Sequence, residues 1–423
     1  MIKFDEVLDI QTDFSGPIIL HLIDQNGYGD VSLGIKIAKF LLRKYPQASL
    51  NIIGDKTSFT KIKEIAPDFL NTKQYPNLEF YDRKESWKLP RYFFEEAKLE
   101  IETAIFDNSL NRNKSSTPHT KIFIGEYGTY ENSPYNPPVI SLSGNIGKNY
   151  PGILIESDLQ QFSRLEPIVK NVKKAKILFR MSDSLLQRQV VGKEGGDPDQ
   201  FIGKNGFAFA YYNLPISYKR AAVIFAASNA KEHANYFISA PHKKAQFILE
   251  MLNDNSFKAV LKKMGYSNLF FYNKNSENSN HIILLDKSNR GGRKFNVFLR
   301  DRFPQALTLD LMRLSDLCGV AGDQCLTEAI SLGIVPIPEE QYCQINIIDQ
   351  IVKYFYKNTV MQDIYNRTWK RQRERDMNSW IEAGQIIRQR YKETTAVLFK
   401  IQEEANLYCS LDNRLNLEFT KDH

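Results

Sequence analysis

Cysteine is scarce in this sequence and carries no recognisable site. The 423 residues contain four cysteines, and none of them forms a C-x-x-C pair or a Cys/His ligand spacing: Cys318, Cys325, Cys343 and Cys409. Their scatter excludes a disulfide-built fold and a zinc site, and it is typical of a reducing compartment. We therefore predict no metal ligands and a fold that packing alone stabilises.

Long apolar runs and targeting signals are also lacking. No apolar stretch approaches the roughly 20 residues that span a bilayer, and the start "MIKFDEVLDIQTDF" is acidic where a signal peptide would be basic and then apolar. We expect a cytoplasmic protein with no membrane span, and export by a specialised secretion system stays open.

Strong charge of one sign is absent as well. The net charge is +7, and the densest basic cluster, "WKRQRERD" at 369–376, includes acids as a solvated helix face does. We predict no nucleic-acid partner and favour a small anionic ligand. The motifs G-x-S-x-G, Walker A and H-E-x-x-H are missing too, so hydrolase and kinase chemistry lack residues to carry them.

What is present is an ordinary globular composition with a regular alternation of patterns. The apolar run 17–23 predicts a buried strand, the helical stripe Leu33, Ile37, Phe40 and Leu41 follows, and "SLNIIGD" predicts a second strand. This βαβ unit implies a parallel sheet covered by helices. Further strands are predicted at 120–128, 137–145, 175–183, 221–229, 268–273, 280–287 and 333–340, and helices at 243–253, 256–264 and over most of 345–405.

Two domains follow from the length and from a loop-like segment near the middle. The stretch 192–206 is rich in glycine and aspartate, as a linker or an active-site loop would be. We predict an α/β chain of two Rossmann-like domains, with a first domain at 1–210, a second at 211–395 and a helical C-terminal segment at 396–423.

One short pattern occurs in both halves. "GYGDVSLGIKIA" (27–38) and "VAGDQCLTEAIS" (320–331) share Gly-Asp-x-x-Leu between an apolar strand and an amphipathic helix. Gly333 supplies a stop for the second helix, and Pro336 follows. Glycine permits a sharp turn and a close approach, whereas the aspartate is either a helix cap or a functional acid at the ligand-binding edge of a parallel sheet.

These residues resemble a family of enzymes. The turn "NGYGD" (26–30) and the stretch "SDLCGVAGDQCLTEAISLGIVPIPEE" (315–340) are similar to the corresponding parts of GT-B glycosyltransferases, which have two Rossmann-like halves. The local likeness is closest to the bacterial arginine rhamnosyltransferases that modify an elongation factor, whose first turn reads Asp-Asn-Tyr-Gly-Asp. The resemblance is specific at about 20–35 and 315–340.

The resemblance implies roles for particular residues. Asp30 matches the acid that activates the acceptor, and Asp24 is the nearest match to the first acid of that turn, with two more residues between the acids than in the family. Tyr28 lies on the acceptor side and Gly29 on the donor side. Gly322, Asp323, Gln324 and Glu328 match the donor-side run, with Glu328 at the position that contacts ribose or sugar. The nucleotide-diphosphate sugar is a co-substrate, and no cofactor is implied.

Other residues have two interpretations each. Arg290 and Arg293 suit a diphosphate, but a basic surface loop fits them equally. Tyr211 and Asn213 are cleft candidates beside the domain boundary, although such aromatics are more often core. The D-x-D of Asp197 and Asp199 is better explained as a surface turn than as a metal site.

We therefore predict an inverting, metal-independent glycosyltransferase that acts from a nucleotide-diphosphate sugar, with a protein as one acceptor class. A nucleotide-sugar epimerase or hydrolase is the alternative among enzymes. A non-enzymatic binding protein with a GT-B-like fold, in which both aspartates only cap helices, is the alternative outside them.

Overall fold

The structure is a computed structural model of the chain. It describes residues 10–24, 28–71, 73–104, 120–125, 139–142, 144–147, 150–192, 197–241, 244–274, 281–286, 288, 291–339, 349–352, 359–369 and 376–419. The chain divides into two compact units, the first formed by 1–154, 345–350 and 404–423 and the second by 155–344 and 351–403. Among the described residues, no helix is both long enough and apolar enough to span a bilayer.

The first unit is a parallel sheet with helices on its faces. Its strands are β1 (Ile18–Leu22), β2 (Leu50–Gly54), β3 (Leu78–Asp82), β4 (Leu99–Ala104), β5 (Thr120–Gly125) and β6 (Ile140–Ser141). They pair in parallel in the order β3-β2-β1-β4-β5-β6. This is the strand order of a Rossmann fold. The predicted βαβ beginning and the α/β class are confirmed.

The helices of this unit are α1 (Tyr28–Lys44), α2 (Lys56–Ile65), α3 (Arg91–Glu95) and, from the end of the chain, Leu407–Phe419. Gly34 lets α1 approach the sheet, because a Cβ there would lie 2.9 Å from the Leu22 side chain. The C-terminal helix is fixed by Lys44, whose buried Nζ lies 2.7 Å from Asp412 Oδ1 and 2.6 Å from Asn416 Oδ1.

The second unit contains a larger sheet. Its strands are β7 (Asn205–Tyr211), β8 (His233–Ser239), β9 (Tyr266–Tyr272), β10 (His281–Leu284), β11 (Arg293–Arg300), β12 (Leu317–Val320) and β13 (Pro336–Pro338). Their order is β10-β9-β11-β8-β7-β12-β13, and all pairs are parallel except the edge pair β10 and β9. The prediction of a second parallel α/β half is confirmed.

Many helices surround this second sheet. In chain order they are α4 (Ser157–Ser163), α5 (Pro167–Phe179), α6 (Ser184–Val191), α7 (Pro198–Lys204), α8 (Pro215–Ser228), α9 (Ala245–Asn253), α10 (Asn255–Lys263), α11 (Gln305–Leu314), α12 (Asp323–Ser331), α13 (Thr359–Trp369), α14 (Met377–Gln389) and α15 (Tyr391–Glu404), with the C-terminal helix of the first unit as α16.

Two predicted strands are helices. Residues 175–183 contain the end of α5, and 221–229 contain the end of α8. Helix α8 is buried on nearly all sides, so it shows no stripe and resembles a buried strand. Each helix begins with proline at its first position, which is the signal that identifies it as helical.

The predicted boundary at 210 is also displaced. Strand β7 (Asn205–Tyr211) lies in the middle of the second sheet, between β8 and β12. The loop-like composition of 192–206 therefore marks a connection inside the second unit, where Asp197 caps α7 by accepting from Asp199 N at 3.1 Å. This D-x-D is exposed, as predicted, but it forms the cap and the first turn of a helix where a turn was expected.

Candidate functional site

The carboxyl ends of β7 and β12 form the point where the second sheet changes direction. From β7 the chain crosses to β8 on one side, and after β11 it returns to β12 on the other side of β7. In an open parallel sheet, such a switch point opens a crevice at the carboxyl edge where ligands bind. The turns that follow β7 and β12 therefore define the candidate site.

The turn after β12 leads directly into a helix. Gly322 is the N-cap of α12 and Asp323 is its first residue. Gly322 has φ −128°, an extended conformation, and a Cβ on it would meet nothing within 4 Å. The expectation that glycine serves a positive φ here is wrong, and so is the cap interpretation of Asp323, which follows the cap. Its charge instead lies in the first turn, where the helix dipole favours an anion.

Gly319, inside β12, is the glycine that a close contact requires, because the Tyr212 side chain packs against it. A Cβ there would lie 2.5 Å from the Tyr212 hydroxyl, which donates to Ile337 O at 2.6 Å. This bond connects the turn after β7 to β13 across the face of β12. Gly319 was not among the predicted site residues.

Glu328, the sixth residue of α12, is buried. It is 2% exposed, and its Oε1 accepts from Gln324 Nε2 at 2.8 Å and from Gln305 Nε2 at 3.3 Å. Gln324 lies one turn earlier on α12, whereas Gln305 is the first residue of α11, which follows β11. A buried carboxylate thus connects the beginnings of two helices at the carboxyl edge. Gln305 was missed because β11 was not predicted.

The turn after β7 carries Tyr211 and Asn213, both exposed. Burial raises the pKa of the Tyr211 phenol, the nearby Cys325 and Glu339 raise it further, and Arg302 lowers it. These neighbours come from α12 and from the turns after β13 and β11, so Tyr211 lies among the groups of the candidate site. The prediction that Tyr211 is exposed to a cleft remains a prediction.

Two further groups hold this turn in place. Glu339 is fully buried and accepts from Leu214 N, while Lys244 Nζ donates to Tyr212 O at 3.1 Å. Lys244 precedes α9 and Arg302 follows β11. Both cations therefore belong to the carboxyl edge.

Arg293 lies at the other edge of the sheet. It is the first residue of β11, and its guanidinium donates at 2.9 Å to Met264 O, Asn229 O and Lys231 O while it stacks 4.3 Å from the Tyr266 ring. These contacts occupy it at the amino ends of the strands, so the diphosphate role predicted for Arg293 is wrong. Arg290 lies outside the described residues.

The predicted acceptor residues lie at the carboxyl end of β1 in the first unit. Asp24 Oδ1 lies 2.5 Å from Lys61 Nζ, which also lies 5.6 Å from the centre of the Tyr28 ring. The Tyr28 hydroxyl donates to Glu64. Both Lys61 and Glu64 belong to α2, which therefore contacts Asp24, two residues after β1, and Tyr28, the first residue of α1.

Asp30 and Gly29 lie in the first turn of α1. Asp30 is buried and Gly29 is exposed with no atom within 4 Å of an added Cβ. Asp30 is the third residue of the helix, so it is not the N-cap residue. Its position at the carboxyl edge of β1 keeps it a candidate for acid–base chemistry. His21, by contrast, is a buried residue of β1 whose Nε2 lies 2.7 Å from Glu100 Oε1.

Comparison with known proteins gives structural similarity only. No known family model matches the chain, and neither does any curated protein. Among solved structures, it is similar to Anabaena Alr3699/HepE in complex with UDP and glucose, at 8% identity over 96% of this chain and 100% of that chain, with a TM-score of 0.44.

Two other solved structures are similar to the same extent. A glycosyltransferase from Rickettsia africae ESF-5 has 12% identity, coverage of 96% and 98%, and a TM-score of 0.42. A UGT transferase from Siraitia grosvenorii in complex with UDP has 8% identity, coverage of 95% and 99%, and a TM-score of 0.45. Scores below 0.5 are too low to assign a function, which must therefore be inferred from the residues of this chain.

Proposed function

We propose that this chain is a glycosyltransferase that moves a sugar from a nucleotide-diphosphate sugar to an acceptor. The observation that supports this most is the switch point between β7 and β12, where Gln305, Gln324 and the buried Glu328 meet at the start of α12. The resemblance of 315–340 to the donor side of GT-B glycosyltransferases concerns the same stretch.

At this edge the donor diphosphate meets helix N–H groups and cations. The N–H groups at Gly322 and in the first turn of α12 suit an anion, although the Asp323 carboxylate would repel a phosphate placed beside it. We assign the diphosphate to Lys244 and Arg302 in place of Arg293, since both follow strands at the carboxyl edge. Basic side chains stabilise the departing diphosphate without a metal.

Glu328 acts in this proposal as a positioning residue. Its burial leaves the carboxylate little direct access to a ligand, but by accepting from both glutamine amides it fixes their orientation. Each amide then offers its carbonyl oxygen as an acceptor for a sugar or ribose hydroxyl. Tyr211 and Asn213 border the same crevice.

The acceptor belongs to the first unit. Asp30 takes the proton of the acceptor nucleophile as the nucleophile bonds to the anomeric carbon and the bond from that carbon to the diphosphate oxygen breaks. Attack from the side opposite the diphosphate inverts the configuration. Asp24 is engaged by Lys61 and positions the acceptor. A protein is one acceptor class, as in the arginine rhamnosyltransferases that the first turn resembles.

Donor binding tests the second unit. A thermal-shift screen against common nucleotide-diphosphate sugars is expected to find one that raises Tm, because a ligand that binds only the native state stabilises it. Calorimetry with that donor should show about a tenfold weaker Kd for Glu328→Ala, for the loss of about 1.4 kcal/mol. Glu328→Gln keeps an acceptor oxygen, so its donor Kd should lie between those of the wild type and Glu328→Ala. Asp197→Asn, which affects only the α7 cap, is the matched control.

Transfer tests the first unit. With labelled donor and fractionated cell extract, Asp30→Asn should reduce transfer by about a hundredfold, as expected for a lost general base, while the donor Kd stays unchanged. Turnover of donor without any acceptor would identify the epimerase or hydrolase alternative. Absence of binding to every nucleotide sugar at millimolar concentration would leave the binding-protein alternative.

A further inference from the structure

Helix α5 exposes aliphatic side chains at its start. Ile168 is 79% exposed, Val169 is 46% exposed and Val172 is 37% exposed. They lie within five residues, and Ile168 and Val172 are one turn apart on the same line of the helix. Aliphatic side chains that cluster on an exposed surface commonly mark a contact with another molecule.

The same face becomes cationic toward the end of the helix. Lys173, Lys176 and Arg180 are exposed. Lys176 continues the line of Ile168 and Val172, and Lys173 lies one turn after Val169. Residues 167–180 contain five basic residues and no acidic residue, so the outward face has an apolar first half and a positive second half.

The opposite face holds α5 firmly in the unit. Ala175 and Leu178 are buried, and the buried Lys174 Nζ donates to Leu314 O at 2.7 Å and lies 3.0 Å from Asp316 Oδ1. The exposed side chains therefore sit on a fixed helix. Their exposure does not result from a frayed end.

We propose that the outward face of α5, formed by Ile168, Val169, Val172, Lys173 and Lys176, docks on a membrane surface that carries anionic lipid headgroups. Lysines next to apolar side chains on a helix match the two layers of such a surface, since the ammonium groups meet headgroup phosphates and the aliphatic groups enter the boundary with the acyl chains. A nucleic acid would use the lysines but would leave the three aliphatic side chains without a role.

This docking does not require the proposed transferase activity. It brings the chain to a surface, whatever reaction follows, and its test uses no sugar donor. Failure here would leave the glycosyltransferase proposal unchanged, and failure of donor binding would leave the docking intact.

Vesicle flotation tests the proposal with the full chain. We expect it to float with vesicles of phosphatidylcholine and phosphatidylglycerol but not with vesicles of phosphatidylcholine alone. Lys173→Gln with Lys176→Gln should lower the partition coefficient at least about tenfold, given about 1 kcal/mol per cation near an anionic surface. Ile168→Gln with Val172→Gln should lower it by a similar factor. High salt should weaken binding by screening.

Matched controls exist in the same unit. Ile282→Gln with Leu284→Gln changes two exposed aliphatic residues of β10, and Lys262→Gln with Lys263→Gln changes two exposed lysines of α10. These pairs should alter the partition coefficient less than twofold, and all variants should keep the wild-type Tm. No flotation with anionic vesicles, equal flotation with neutral ones, equal losses in the controls, or binding only to RNA or to an acidic protein would each overturn the proposal.

Discussion

Lys61 Nζ lies 2.5 Å from Asp24 Oδ1 and 5.6 Å from the centre of the Tyr28 ring. One lysine of α2 thus contacts the second residue after β1 and the first residue of α1. The cation is mostly buried, so its attraction to the carboxylate is screened less than that of a surface pair. This contact connects Asp24 and Tyr28, two of the predicted acceptor-side residues.

Removing that cation should impair the acceptor side only. We expect Lys61→Met to raise the acceptor KM or lower kcat by about tenfold, the cost of about 1.4 kcal/mol in positioning, while the donor Kd measured by calorimetry is unchanged. Lys61→Arg keeps the charge and should recover part of the activity. An equal loss of transfer activity in both variants, or a lower affinity for the donor, would argue against this positioning role.

Arg293 should matter for stability and not for the donor. Its guanidinium donates to several carbonyls at the amino edge of the second sheet, a geometry that lysine cannot reproduce. We expect Arg293→Lys to lower Tm measurably while the donor Kd stays within twofold. A donor affinity that falls in the variant with unchanged Tm would restore the diphosphate role.

Gly319 inside β12 and Gly322 after it should respond differently to alanine. Gly319→Ala brings a methyl group to within 2.5 Å of the Tyr212 hydroxyl, whereas Gly322→Ala meets open space at an ordinary φ. Overpacking of this kind costs about 1–3 kcal/mol, so denaturant unfolding should show that loss for Gly319→Ala only. Gly319→Ala with Tyr212→Phe should be no less destabilised than Gly319→Ala alone, because the ring carbons Cζ and Cε2 would still lie 2.6 and 2.7 Å from the added methyl group.

Lys170 should make stability depend on pH. Burial, followed by repulsion from Lys174, lowers its pKa to about 8 from an ordinary value near 10.5. The unfolded chain therefore binds more protons between these values, and stability rises with pH across that window. Below about pH 8 the native state carries the full cost of the charge.

Lys170→Met should therefore stabilise the chain by about 1–3 kcal/mol at pH 7, with the gain fading toward pH 10.5. Thermal unfolding at several pH values measures this. Lys173→Met, on the exposed side of the same helix, should leave the stability unchanged at every pH. A gain that is constant with pH would show that packing and not charge is responsible.

Much of α12 could be predicted because its signals are local. The helix stops as expected at Gly333, which has φ +65°, and the two closing bonds run from Gly333 N to Ile330 O and from Ile334 N to Ala329 O. Only glycine adopts that φ without strain, so the sequence identifies the end of the helix directly. The strands β1 and β2 were predicted for the same reason, since they are short apolar runs beside clear turns.

The strand β11 could not be predicted in this way. "RKFNVFLR" mixes polar and apolar residues because its side chains meet different neighbours on β8 and β9. Without β11, helix α11 could not be placed at the carboxyl edge of the sheet. Nothing in the sequence therefore connected Gln305 to Glu328. The role given to Arg293 was wrong for the same reason. A cluster of glycines and arginines has the same appearance in the sequence whether it precedes a strand or follows one, so the edge of the sheet could not be assigned.

The sequence by itself determined the α/β class, the strands β1 and β2 and the end of α12 at Gly333, because each depends on the conformational preferences of a few neighbouring residues. Tertiary structure alone decided that β7 lies beside β12, that Glu328 holds two glutamines, and that Lys44 meets Asp412 across 368 positions of the chain. These contacts join residues far apart in sequence. The free energy of each contact depends on which group is buried beside its partner, and no local sequence pattern specifies that partner.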